Sequence, residues 1–224
     1  MKKSKSKRNK KNIKNFIVFP LILCAVMFAA AFAVSAPFLS NIFSIGSMFM
    51  SDKQVDYSKA YDNIFVPTDT NADTVDASDI EFPGINKQFG ELSIKGRDVD
   101  AKLFFGDSSV PLRNGVGIYA GSFIPGYGRT ILVAGHNNTY FNGLKNVKKG
   151  DIVKISTSYG NYKYKITGTK LTTDKDKKAY DLSADKENLV LYTCYPFDSL
   201  GLTNQRFFVY AEKESGPVIT GLYE

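Results

Sequence analysis

The chain has 224 residues, of which 43% are hydrophobic and 23% charged, with 29 Lys and Arg against 22 Asp and Glu. This length suits one ordinary domain with an appended segment, and the composition excludes low-complexity and collagen-like proteins. Two Cys and one His exclude both a disulfide scaffold and a zinc finger.

The first segment, residues 1–15, carries the whole positive excess of the chain. It contains seven Lys, one Arg and no acidic residue, which is a charge of +8, whereas the complete chain carries +7. The remaining residues therefore sum to −1. A protein that binds a phosphate backbone needs basic surface on its folded part, so this distribution argues against nucleic-acid binding.

Residues 16–39 follow as an uninterrupted run of 24 uncharged residues. As a helix this run spans roughly 36 Å, enough to cross a hydrocarbon core of about 30 Å. The pattern predicts a transmembrane signal anchor, and the basic flank predicts a cytoplasmic N-terminus with the remainder outside the cell. A cleaved signal peptide is the alternative, because Val34-Ser35-Ala36 resembles a cleavage site, but Pro37 directly after it fits cleavage poorly.

Residues 40–80 lack sustained periodicity, and their last part is polar, acidic and rich in small residues. Such composition is typical of linkers. We therefore predict an extracytoplasmic linker over 40–80 and a folded domain over 81–224.

The folded domain shows short apolar, β-branched runs separated by turn residues, which indicates a mainly β protein. Seven or eight strands in about 140 residues favour a closed β-barrel or a sandwich, with one short helical stretch predicted over 139–147. The predicted strands cover 91–95, 101–105, 130–134, 151–156, 162–170, 189–195 and 207–212.

Three residues of the predicted domain are candidates for chemistry. Cys194 is its only thiol and His136 the only imidazole of the chain, and a Cys nucleophile needs a nearby base or cation to ionise. Arg206 directly precedes a strand and could stabilise an oxyanion. Each also has a structural interpretation: Cys194 as buried packing, His136 as an ordinary strand-end residue and Arg206 as a surface charge.

The motifs around these residues resemble those of the sortase family. Ala-Gly-His ends at His136, Leu-Tyr-Thr-Cys ends at Cys194, and Arg206 follows the Cys by twelve positions at the head of a strand. The string Thr-Cys-Tyr-Pro-Phe beginning at Thr193, with Arg-Phe-Phe-Val beginning at Arg206, is most similar to class D sortases. The resemblance covers residues 82–224 and the N-terminal anchor.

The resemblance implies a sortase-like barrel of seven to eight strands with short helices, and a cysteine transpeptidase activity. In this interpretation Cys194 attacks the Thr carbonyl of a Leu-Pro-x-Thr-Gly-like sorting signal in a secreted protein and forms a thioacyl enzyme. His136 then acts as acid and base, and Arg206 stabilises the oxyanion or holds the substrate backbone. The acceptor is an amine of a cell-wall precursor or of peptidoglycan, and no metal or organic cofactor is required.

The sequence differs in several features from some members of the sortase family. The chain lacks the lid motif and second membrane span usual in pilin-polymerising sortases, and Asn137 follows His136 where some sortases carry charged residues. We expect residues 168–187, rich in Lys and Asp, to form a loop beside the signal-binding groove. Calcium binding there has no support in the sequence.

Two rival functions remain at this stage. A wall-remodelling transpeptidase also uses one Cys and one His, but its Ser-His-Gly-Cys signature is absent. A non-catalytic, membrane-anchored β-barrel binding module is the other, and it predicts that Cys194 is dispensable for any acyl transfer.

Overall fold

The computed structural model describes residues 18–29, 65–68, 72–198 and 203–222. The chain divides into two compact units, Met1–Tyr57 and Ser58–Glu224. Within the first, residues 18–29 form a helix, α1, with exposed side chains. No helix of the described segments combines the length and apolarity needed to cross a bilayer. The predicted tail (1–15) and half of the predicted span (16–39) lie outside the described residues.

The second unit is built on a closed barrel of eight strands with two additional short strands. Its order around the barrel is β2-β3-β4-β5-β8-β9-β7-β6, and β1 pairs in parallel with β10 in a separate two-stranded sheet. The strands are β1 (Thr74–Asp76), β2 (Gln88–Ile94), β3 (Val99–Phe105), β4 (Val116–Ile118), β5 (Thr130–Ala134), β6 (Ile152–Thr157), β7 (Asn161–Thr173), β8 (Asn188–Tyr195), β9 (Gln205–Ser215) and β10 (Val218–Thr220).

The helical content of this unit is small. One α-helix, α2 (Ser109–Asn114), connects β3 to β4, and two 3-10 helices cover Ala77–Asp79 and Asn142–Asn146. The second 3-10 helix lies within the predicted helical stretch 139–147. The mainly β barrel is therefore confirmed, whereas α2 and the short strands β1, β4 and β10 have too few residues to show a period.

Two predicted boundaries differ from the structure. The interval predicted as linker, 40–80, includes β1 and the buried Ile80, so the barrel unit already includes its last residues. The predicted loop 168–187 is shorter, because β7 continues to Thr173 through its antiparallel pairing with β9. Both extensions depend on partners distant in the sequence, and no local pattern reveals them.

Alternating side chains of the strands separate two apolar clusters. The larger fills the barrel and includes Ile131, Leu191 and Val209. The smaller lies on the outer face of β5, β8 and β9 and contains Leu132, Val190, Phe208 and Ala179, with Leu182, Tyr192 and Tyr210 packed against it. Two of these residues, Ala179 and Leu182, belong to the β7–β8 loop, residues 174–187, so this loop covers part of the outer face.

Candidate active site

Strand register brings the three predicted site residues to one edge of the outer face. Cys194 of β8 is the direct antiparallel partner of Arg206 in β9. On the other side, β5 runs parallel to β8, with Ala134 paired to Tyr192. Continuing that register by two residues places His136 level with Cys194. His136 and Cys194, 58 positions apart in the sequence, thus become neighbours, because both lie at the same end of two adjacent parallel strands.

Two hydrogen bonds extend the contact between β5 and β8 to the site itself. Gly135 N–H donates to the Tyr192 carbonyl at 3.3 Å, and Thr193 Oγ1 donates to the Gly135 carbonyl at 2.7 Å. Thr193 is 2% exposed, so this second bond is shielded from water. The residue before Cys194 is therefore bonded to the residue before His136.

A further set of side chains connects the loops that follow His136 and Cys194. The Asn137 amide, 7% exposed, donates to the Pro196 carbonyl at 2.7 Å. The Asn142 amide donates to the Asn137 carbonyl at 2.8 Å and to Asp198 Oδ1 at 2.5 Å, and Lys145 Nζ lies 3.0 Å from Asp198 Oδ2. These contacts hold the two loops together. The sequence interpretation missed them, although Asn137 directly follows His136.

The environment of His136 disfavours its charged form. Its side chain is exposed at the site's edge, yet enough protein surrounds the ring that desolvation, followed by the positive charge of Arg113, lowers the pKa of His136 below 6.5. Arg113 belongs to α2, which no sequence pattern placed near the site. In the unliganded protein the imidazole is therefore mainly neutral at pH 7.

Cys194 and Arg206 are both half-buried. Arg206 Nη1 donates to the carbonyls of Thr203 at 2.6 Å and Gln205 at 2.9 Å, and its Nη2 lies 4.0 Å from Asp174 Oδ2. These contacts fix the guanidinium at the edge of the outer face. Because a guanidinium has five N–H donors, it retains donors for a substrate oxygen beside Cys194.

The β7–β8 loop is held against the outer face by hydrogen bonds to neighbouring strands. The Ala179 carbonyl accepts from Tyr210 OH at 2.8 Å, and the Asp181 carbonyl accepts from Thr130 Oγ1 at 2.5 Å. A cleft of about 620 Å³ opens between the loop and the strands, with Val190 in its lining. The loop thus forms one wall of this cleft, whose lining mixes charged and apolar side chains and which lies four residues along β8 from Cys194.

Asp176 of this loop is occupied by protein groups. Its carboxylate accepts from Lys170 Nζ at 2.7 Å and from Thr172 Oγ1 at 2.9 Å, and these bonds lower the pKa of Asp176 to about 2. Among residues 72–198 and the other described segments, no group of three His, Cys, Asp or Glu side chains could hold a metal ion. The Lys170 ammonium supplies the positive charge beside this carboxylate.

Comparison with known proteins identifies the family of the barrel domain. The family model of the sortase domain matches residues 92–214. Sortase D of Bacillus subtilis (strain 168) is 31% identical over 131 residues, which are 58% of this chain and 66% of that protein, just under two thirds of its length.

Solved structures show the same fold. Listeria monocytogenes sortase A superposes with a TM-score of 0.51 at 26% identity, covering 58% of this chain and 88% of that one. The Clostridium perfringens sortase D5 transpeptidase superposes with a TM-score of 0.53 at 20% identity, covering 60% and 83%. The resemblance seen in the sequence motifs, including the similarity to class D, is confirmed. The chain belongs to the sortase family.

Proposed function

We propose that this protein is a membrane-anchored cysteine transpeptidase that cleaves a Leu-Pro-x-Thr-Gly-like sorting signal and transfers the Thr carboxyl to a cell-wall amine. The observation that carries the proposal is the row formed by His136, Cys194 and Arg206 at one end of the outer face of β5, β8 and β9. Membership of a family of cysteine transpeptidases supports it.

The distance along β8 from Cys194 to the cleft beneath the β7–β8 loop supports a short extended peptide as the substrate. From Cys194 to Val190, where the cleft beneath the β7–β8 loop begins, β8 advances four residues, which is about 13 Å at roughly 3.3 Å per residue. Four extended residues before a scissile bond span the same distance. A peptide whose Thr carbonyl lies at Cys194 therefore places its Leu against the apolar cluster.

The reaction proceeds through two balanced steps. In the first, the Cys194 sulfur bonds to the Thr carbonyl carbon, the Thr–Gly bond breaks, and the His136 imidazolium gives its proton to the departing Gly nitrogen. In the second, an acceptor amine attacks the thioester, its proton passes to the neutral His136, and the thiolate leaves. Arg206 donates hydrogen bonds to the carbonyl oxygen as it gains negative charge in each step.

The lowered pKa of His136 has opposite effects on the two steps. A mainly neutral imidazole is ready to accept the proton of the incoming amine. The imidazolium needed in the first step is a minority form at pH 7. The unliganded enzyme therefore begins acylation from a small fraction of its molecules.

The activity is tested on the complete chain purified in a mild detergent, with a panel of Leu-Pro-x-Thr-Gly peptides and hydroxylamine as the acceptor. The chain has two thiols, so Cys24→Ala is the matched control for Cys194→Ala. We expect a thioacyl adduct and a hydroxamate product from wild type and Cys24→Ala, and neither from Cys194→Ala. Absence of product with every peptide, together with a Cys194 unreactive toward a small thiol reagent, would favour the non-catalytic binding module.

The anchor is the second part of the proposal. We place residues 1–15 in the cytoplasm, residues 16–39 across the membrane and the barrel outside the cell, because the basic residues precede an apolar run of sufficient length. In the Cys24→Ala background, a membrane-impermeant thiol reagent added to intact cells should label Cys194. Labelling that requires cell lysis would contradict this orientation, and loss of the protein from washed membranes would favour the cleaved signal peptide.

A further inference from the structure

The carboxylate of Asp107 lies beside the outer face. It is next to β4, which is separated from the strand of Cys194, β8, by β5. In β4, Val116 and Ile118 pack into the barrel interior, so Gly117 between them faces outward. A side chain at Gly117 would overlap the Gly106 carbonyl and lie 3.1 Å from the Asp107 Cα. The missing side chain thus lets the backbone of residues 106–107 lie directly on the sheet. Asp107 is held there, half-buried.

Asp107 contacts Tyr192 on the outer face of β8. Its Oδ2 accepts a hydrogen bond from Tyr192 OH at 3.4 Å. The Tyr192 ring stacks on Phe208, with centroids 5.7 Å apart, and its β5 neighbour in register is the small Ala134. Burial, followed by the charge of Asp107, raises the pKa of Tyr192 well above its ordinary value, so the hydroxyl remains a donor.

The position of Asp107 corresponds to one part of the substrate. Tyr192 precedes Cys194 by two residues, about 7 Å along the strand. In an extended Leu-Pro-x-Thr peptide that runs along β8 with Thr at Cys194, Pro is level with Tyr192, and x lies between Pro and Thr, about 3.3 Å along the strand from each. It is also the one signal position whose side chain is free to carry charge. A carboxylate offers about four acceptor sites, and the long bond from Tyr192 occupies one of them.

We propose that Asp107 is a specificity-determining residue that favours a cationic side chain at x and disfavours an acidic one. This inference rests on the proposed function and names its substrate class: sorting signals with Lys or Arg at the third position, with neutral amides intermediate. Arg206, the cation near Tyr192, is engaged by the carbonyls of Thr203 and Gln205. Asp107 is therefore the charge that we expect x to encounter.

The experiment measures kcat/KM of the complete chain in detergent with three competing peptides, in which x is Lys, Gln or Glu. For two unit charges about 7 Å apart in surroundings as polar as water, Coulomb's law predicts that kcat/KM of the Lys peptide exceeds that of the Glu peptide about tenfold. Asp107→Asn should reduce this ratio to within about twofold. Glu91→Gln removes the same charge from β2, four strands from β8 in either direction around the barrel, and should keep the ratio.

Two measurements keep the proposal testable if Asp107→Asn does not fold. Tyr192→Phe retains the carboxylate and should retain the preference for Lys. In the wild type, raising the salt concentration should diminish the ratio, because partly exposed charges are screened. Equal rates for Lys and Glu, or a preference for Glu, would overturn the assignment of Asp107. Absence of Cys194-dependent cleavage of all three peptides would instead refute the proposed function.

Discussion

Replacing Asn137 by Ala tests whether the hydrogen bond from its amide to the Pro196 carbonyl positions His136 relative to Cys194. The amide donates to the Pro196 carbonyl at 2.7 Å, next to His136 at one end and two residues beyond Cys194 at the other. Removing the donor loses the net contribution of one hydrogen bond, which is about 0.5–1.5 kcal/mol of folding free energy. For a domain of this size, each kcal/mol lowers Tm by about 2–4 °C.

The effect on catalysis should exceed the effect on folding. A displacement of about 1 Å between reacting groups costs roughly 100-fold in rate, and Asn137→Ala removes one of the side-chain bonds between the two loops, the one made by the residue next to His136. We expect kcat to fall about 10- to 100-fold, with KM within about threefold because the signal binds along β8 upstream of these loops.

The assay combines peptide kinetics, thermal unfolding and the rate at which a small reagent alkylates Cys194. Asn138→Ala is the matched control, since Asn138 is the adjacent residue of the same type and is exposed. A variant Asn137→Ala with lowered Tm but wild-type kcat would show that the bond serves folding alone. Equal losses in both variants would likewise refute the reasoning.

Four other predictions follow from buried or crowded groups. The single imidazole signal in an NMR titration should give a pKa for His136 below 6.5, and Arg113→Gln should move it upward; a value above 6.5 in wild type would contradict the desolvation argument. The same shift makes the contribution of His136 to stability complete above about pH 6.5 and lost as the pH falls through its folded pKa, which denaturant titrations of wild type and His136→Gln should show. Glu187→Ala should lower the free energy of unfolding by about 3–5 kcal/mol, since it removes the ion-pair partner of Lys213 at 3.2 Å and the acceptor of the buried Tyr164 hydroxyl at 2.7 Å; a loss under 1 kcal/mol would refute this. Gly143→Ala should cost about 1–3 kcal/mol, because the added carbon overlaps a backbone carbonyl, whereas Ala at the open position Gly168 should not cause such a clash.

The two sides of the site differ in how they are held. Thr193 and Asn137 bond the β5 and β8 ends with buried hydrogen bonds of 2.7 Å each. Arg206 instead depends on carbonyls of the segment before β9. In the proposed reaction His136 exchanges protons with the amines that leave and enter at the carbonyl attacked by Cys194, so a rigid connection between their strands suits that chemistry. The proposed oxyanion donor, Arg206, needs only to reach the carbonyl oxygen.

The local sequence pattern determined most of the barrel. All seven predicted strands are present, within four residues at each end, because each carries its own β-branched or alternating pattern. The strands β1, β4 and β10 have three residues each and form through pairing with distant segments. Their existence depends on neighbours that a window of sequence does not contain.

The sequence by itself also supplied the identities of His136, Cys194 and Arg206, because the chain has one imidazole and two thiols and the surrounding motifs resemble those of sortases. Only the tertiary structure showed Arg113 beside His136, Asn137 bonded to the loop after Cys194, and Asp107 against Tyr192. Residue types and their order are encoded locally. Which of them meet depends on strand register and on the absence of a side chain at the outward-facing Gly117, and these are properties of the closed barrel.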